Sequence, residues 1–142
     1  MPKLPYIVLV DDDPTANYLH QKLLAKLDVT DQLLVAHNGH EALALLDQLQ
    51  SIPEHSYPAL LLLDIKMPSM DGFSFLEAYK QLPATKQAGI LVVMLSTSLQ
   101  PEEVHRAQQL PIAAFLNKPL TNEKVRQLLQ LCYNHPVSQT AK

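Results

Sequence analysis

The chain has 142 residues, 47% hydrophobic and 18% charged, a balance that suits one compact domain with a real core and leaves no length for a second. Eleven Lys and Arg against fourteen Asp and Glu give a formal net charge of −3, which argues against indiscriminate phosphate-backbone binding, so nucleic acid is not an expected direct partner. A single cysteine, Cys132, excludes an internal disulfide and a cysteine-ligated zinc site and points to a reducing, cytoplasmic setting.

The opening Met1-Pro2-Lys3-Leu4-Pro5 runs through a short apolar stretch into Asp11-Asp12-Asp13, which resembles neither a signal peptide nor a spanning helix. No membrane association is expected. The first strand is predicted over 6–10, β-branched and continuous. Asp13-Pro14 then supplies an N-cap and a proline at the first helical position, and Ala16, Leu19, Leu23, Leu24 and Leu27 fall at helical spacing. A second strand follows over 33–36. Asn38, with Glu41 three residues on, caps a second helix whose Ala42, Leu45, Leu46 and Leu49 face the sheet.

The stretch 50–58 reads as an exposed, mobile link. A wholly apolar third strand over 59–63 suits burial on both sides. The third helix starts near Asp71, carries Phe73, Leu76 and Tyr79, and ends before Pro83. A fourth strand is predicted over 90–95, a fourth helix from Pro101 through Leu110, and a fifth strand over 113–116. Thr121 caps a fifth helix with Val125, Leu128, Leu129 and Cys132 turned inward. Residues 134–142 read as a frayed polar tail. Strand and helix alternate five times, the pattern of a doubly wound parallel sheet with helices on both faces and right-handed crossovers.

In such a sheet, ligands gather at the carboxyl ends of the strands beside the switch point. Asp11, Asp12 and Asp13 follow directly on the first strand and Asp64 on the third; in the order 2-1-3-4-5 these strands are neighbours. Crowded carboxylates repel unless a cation neutralises them, and oxygen donors without His or Cys suit Mg²⁺ or Mn²⁺. Ser96 ends the fourth strand and Lys118 stands at the end of the fifth, ahead of Pro119. Acids, hydroxyl, ammonium and metal can together hold a phosphoryl group, with Asp64 left as the nucleophile.

Val8-Leu9-Val10-Asp11-Asp12-Asp13-Pro14, Leu63-Asp64-Ile65-Lys66-Met67-Pro68-Ser69-Met70-Asp71-Gly72, Ser96 after Met94-Leu95, and Phe115-Leu116-Asn117-Lys118-Pro119 resemble the receiver domain of two-component response regulators. The likeness extends over about residues 6–133 and leaves no room for an output domain. It implies a flavodoxin-like (βα)₅ fold and a signalling switch rather than an enzyme. A sensor histidine kinase or histidine phosphotransfer protein would phosphorylate Asp64. Asp11, Asp12, Asp64 and the backbone carbonyl of Lys66 would hold the metal, and Lys118 would contact the phosphoryl oxygens. Ser96 and Phe115 would form the switch, and the fourth helix, fifth strand and fifth helix would face a separate protein partner.

Two departures stand out. Lys66 places a cation two residues past the acceptor, where water must approach, so the acyl phosphate lifetime does not carry over from the family. Pro111 occupies the loop before the fifth strand, where receivers often carry Gly, and should stiffen it. Asp13 and Asp71 read as helix caps, and Cys132 as a small hydrophobe. His20, His37, His40, His55, His105 and His135 lie scattered and read as surface or structural groups. Two alternatives remain open from the residues: a Mg²⁺-dependent aspartyl-phosphate phosphatase or phosphotransferase, and a receiver-like interaction module that is never phosphorylated.

Overall fold

Each apolar run becomes a strand in the computed structural model, which describes residues 2–49, 52–53, 56–97 and 100–137. In chain order the elements are β1 (Ile7–Val10), α1 (Pro14–Leu27), β2 (Leu33–Ala36), α2 (Gly39–Gln48), β3 (Ala59–Asp64) and α3 (Gly72–Tyr79). There follow α4 (Ala84–Gln87), β4 (Ile90–Ser96), α5 (Pro101–Gln108), β5 (Ala114–Asn117) and α6 (Asn122–Tyr133). The strands form one parallel sheet in the order β2-β1-β3-β4-β5. This is the doubly wound sheet that the alternation predicts, in the flavodoxin-like order that the resemblance implies.

Strand side chains alternate between two apolar layers, because successive residues point to opposite faces. Val8, Val10, Leu61 and Leu63 pack with Ala42 and Leu46 of α2, Phe75 and Leu76 of α3, and Ala107 of α5. Ile7, Leu9, Leu60 and Leu62 pack with Leu24 of α1 and with Val125, Leu128, Leu129 and Cys132 of α6. With both faces covered, all six residues of β3 are buried. Each such leucine contributes about 1.5–3 kcal/mol relative to an exposed one.

The caps fall where the sequence puts them. Asp13 accepts from the Thr15 amide, Asn38 from Glu41, Asp71 from Ser74 and Thr121 from Lys124. Several expectations are corrected. Leu19 is 54% exposed; the inward face of α1 keeps the expected Leu24, with Leu23 and Leu27 packed beside it, and adds buried Asn17 and His20. A helix not foreseen, α4, follows Pro83, so the predicted fourth and fifth helices are α5 and α6. In the link, Gln50, Ser51, Glu54 and His55 lie outside the described residues. Its described part is not simply exposed, since Ile52 packs on the core, Pro58 is buried and the Tyr57 ring lies 4.8 Å from that of Tyr133.

The tail is likewise tied down in its first part. Asn134 and His135 bond back to Gln130 and Cys132, and the Val137 amide donates to the Ser56 carbonyl at 2.7 Å; residues 138–142 lie outside the described set. Pro111 sits at the centre of a three-residue turn in which the Ile112 amide donates to the Leu110 carbonyl at 2.8 Å. Its fixed negative φ suits that turn.

Candidate functional site

Hydrogen-bonded strand register brings the acids together. Asp11 leaves β1 with its amide on the Ala36 carbonyl, while the Asn17 side chain holds the Asp11 carbonyl at 2.8 Å. The Asp13 amide donates to the Asp11 carboxylate at 2.9 Å, so one short turn both caps α1 and aims that side chain. Asp64 is the last residue of β3 and pairs in register with Leu95. One carboxylate oxygen from each of Asp11, Asp12 and Asp64 lies within 4.8 Å of the others. Asp11 and Asp64 are buried and Asp12 is exposed, so the cluster opens to solvent on one side.

The loop after β3 turns sharply at Gly72, whose amide donates to the Ile65 carbonyl at 2.7 Å. A Cβ there would meet the Asp64 carbonyl oxygen at 2.7 Å, so only glycine lets α3 start this close to the end of β3. Lys66 is exposed, and no hydrogen bond among the described residues takes up its carbonyl. Ser96, the last residue of β4, is buried, and its carbonyl accepts from the Lys118 amide at 2.8 Å. Phe115 pairs with Met94, is half-buried against the layer under α2, α3 and α5, and borders a 190 Å³ cavity with Leu110 and Ile112.

Lys118 reaches back to the acids. Its ammonium lies 2.5 Å from Asp11 Oδ2 and 3.0 Å from Asp64 Oδ1, with a side chain only 10% exposed. Burial lifts the Asp64 carboxyl to about 6; the Lys118 hydrogen bond pulls the other way, and the charges of Asp11 and Asp12 push it further up. At neutral pH Asp64 is therefore mostly ionised. For Lys118, burial opposes the charge, but the hydrogen bonds it donates to Asp11 and Asp64 outweigh it and hold the ammonium above its ordinary value. The donor set is all oxygen and strongly anionic, with its carboxylate oxygens within 4.8 Å of one another, and fits a hard divalent cation such as Mg²⁺.

Two side chains near this edge carried no signal in the apolar pattern. His20 is buried on α1, and its Nε2 accepts from the Leu120 amide at 3.4 Å. Burial holds its ring below the ordinary histidine range, as does the Lys118 charge, with Asp11 opposing. Lys124, in the first turn of α6, donates to the Asn117 carbonyl at 2.8 Å and the Pro119 carbonyl at 3.1 Å. The i, i+3 spacing of Asn17 and His20, in phase with Leu24, was the available clue to His20. The remaining described histidines are exposed, consistent with their reading as surface groups.

A five-stranded sheet of this order with a carboxylate cluster and a lysine at its carboxyl edge defines the class. The family model of the response regulator receiver domain matches residues 7–130, and the chain belongs to that family, the receiver of two-component signalling systems. It is 30% identical over 124 residues to the response regulator Rcp1 of Synechocystis sp., covering 87% of this chain and 83% of that one. It is also 30% identical over 127 residues to a probable chemotaxis protein CheY of Rhizobium etli, covering 89% and 91%. A two-component response regulator from Cytophaga hutchinsonii superposes with a TM-score of 0.82 over 94% of this chain and 99% of that chain, at 23% identity, a likeness of fold. Among the described residues, no helix is long and apolar enough to cross a membrane.

Proposed function

We propose that Asp64 accepts a phosphoryl group and that this covalent change switches the affinity of the domain for a separate protein. The observation that carries the reading is the ammonium of Lys118 set between Asp11 and Asp64, with Asp12 open to solvent beside them. Receiver domains take phosphoryl groups from histidine kinases, so the donor is a phosphohistidine on such a kinase or on a phosphotransfer protein. A carboxylate oxygen of Asp64 attacks phosphorus, the P–N bond breaks, and its electron pair goes to the imidazole nitrogen, which takes up a proton. Asp64 serves as nucleophile because it is largely ionised above pH 6.

Asp11, Asp12, Asp64 and the Lys66 carbonyl would hold Mg²⁺, which when bound neutralises charge on the phosphoryl oxygens. Lys118 exchanges its contact with the Asp64 carboxylate for one with the phosphoryl group. Ser96 donates a hydrogen bond to the same group, and Phe115 turns into the space that Ser96 vacates, aided by the cavity beside it. The face made by α5, β5 and α6 then presents a changed surface to the partner, a two-state element biased by one charged group. The chain acts as a switch, with chemistry limited to gaining and losing its own phosphoryl group. Lys66, exposed two residues past the acceptor, sets the approach of water and hence the lifetime of the adduct.

Incubation with Mg²⁺ and acetyl phosphate should give a base-labile, acid-stable adduct that Asp64→Asn abolishes. Absence of any Mg²⁺-dependent adduct on the folded wild type would refute the reading and leave a binding module that is never phosphorylated. Turnover of a free phosphoester, lost in Asp64→Asn, would instead make it a phosphatase.

A further inference from the structure

Thr121 caps α6 and Lys124 stands three residues later, the position where a capping box places Glu or Gln. A cation in the first helical turn is disfavoured by the helix dipole. The compensation lies outside the helix. The Lys124 ammonium donates to the carbonyls of Asn117 and Pro119, the two residues that flank Lys118. On the same strand-to-helix connection, the Lys118 amide donates to Ser96 and the Leu120 amide to the buried ring of His20. Four backbone polar groups of this connection, the Asn117 and Pro119 carbonyls and the Lys118 and Leu120 amides, are thus held by three different elements.

Such restraint matters for one reason. The Lys118 ammonium must let go of the Asp64 carboxylate and meet a phosphoryl oxygen without its backbone drifting, since a small misplacement of a charge at the reacting centre is costly. We infer that Lys124, assisted by His20, is a positioning residue that fixes the Lys118 backbone so that only its side chain moves during phosphorylation. Lys124 acts through Lys118 and touches none of the three acids among its described contacts. This rests on the phosphoacceptor reading of Asp64.

The test is a double-mutant cycle on the full chain, with phosphorylation by acetyl phosphate in saturating Mg²⁺ as the rate. Lys124→Met should slow labelling roughly tenfold while Mg²⁺ affinity measured calorimetrically, without a donor, stays within about twofold of wild type. Lys124→Arg keeps the donors and should recover most of the rate. In a Lys118→Ala background, Lys124→Met should cost nothing further, because the group it positions is gone. His20→Leu, an apolar replacement suited to its buried site, should slow labelling in the same direction, and His20→Gln should restore it. Wild-type labelling in Lys124→Met, an equal loss in Met and Arg variants, or a loss that persists without Lys118 overturns the inference alone. Failure of wild type to label overturns the phosphoacceptor reading and this inference with it.

Discussion

At the amino end of the sheet, Leu4 and Ile7 are fully buried, Leu4 bridges to Thr30, and Tyr133 donates to the Pro2 carbonyl. At the carboxyl end the same strands deliver Asp11, Asp64 and Ser96 into buried positions, beside buried Asn17 and His20. One end is aliphatic and closed by backbone bonds; the other concentrates negative charge that, among the described residues, Lys118 alone offsets by ion pairs. The difference separates what holds the domain together from what makes it responsive. Stability accumulates where nothing needs to change, and electrostatic tension is confined to the edge where, on the proposed reading, a cation and a phosphoryl group would relieve it.

The largest effect should come from attacking the quiet end. Leu4→Ala removes a fully buried side chain from the layer under α1 and α6 and should destabilise by about 3 kcal/mol, seen in denaturant unfolding. Mg²⁺ affinity of the folded fraction should stay unchanged; a matching loss of Mg²⁺ binding would show that the two ends are not separable.

At the reactive end the sign reverses. The Asp64 carboxyl is raised from 3.8 to about 6, so below pH 3.8 folded and unfolded chains both carry the proton and no cost arises. Between pH 3.8 and about 6 the unfolded chain has released its proton while the folded chain still holds it, so stability falls as pH rises across that window. The full cost, up to about 3 kcal/mol, is present above pH 6. Without divalent cation, Asp64→Asn should therefore be more stable than wild type at pH 8, with the gain fading toward pH 4. A gain independent of pH would place its origin elsewhere.

A smaller effect should follow from Gly72→Ala, which puts a Cβ at 2.7 Å from the Asp64 carbonyl oxygen and 3.0 Å from Ile65 Cα. Overpacking against backbone costs about 1–3 kcal/mol. Because the displaced atoms belong to the acceptor segment, labelling of Asp64 should slow by more than this stability loss explains. Equal labelling rates in the two proteins would show that the loop absorbs the strain away from the acceptor.

The strand ends were legible in the sequence because buried parallel strands are continuous apolar runs, and whatever polar residue stops such a run is delivered to the edge. Asp11, Asp64 and Ser96 all follow this rule, and Lys118 follows β5 by one residue. The inner face of α1 was legible only in its leucines at 23, 24 and 27, since apolar periodicity also counted Leu19 and passed over Asn17 and His20, polar groups that each find a backbone partner. The single turn α4 is too short to show a period. Lys124 was invisible for a different cause: its partners are carbonyls, and main-chain acceptors leave no trace in residue type.

Cys132 sits fully buried on α6, with its thiol pushed up to about 12 by burial. As the sole cysteine of the chain, it offers almost no thiolate to an alkylating reagent in the folded state. A cysteine introduced at exposed Lys66 could therefore carry a fluorophore or spin probe selectively, with the native thiol left in place, and report the environment of the loop after Asp64 during the proposed phosphorylation.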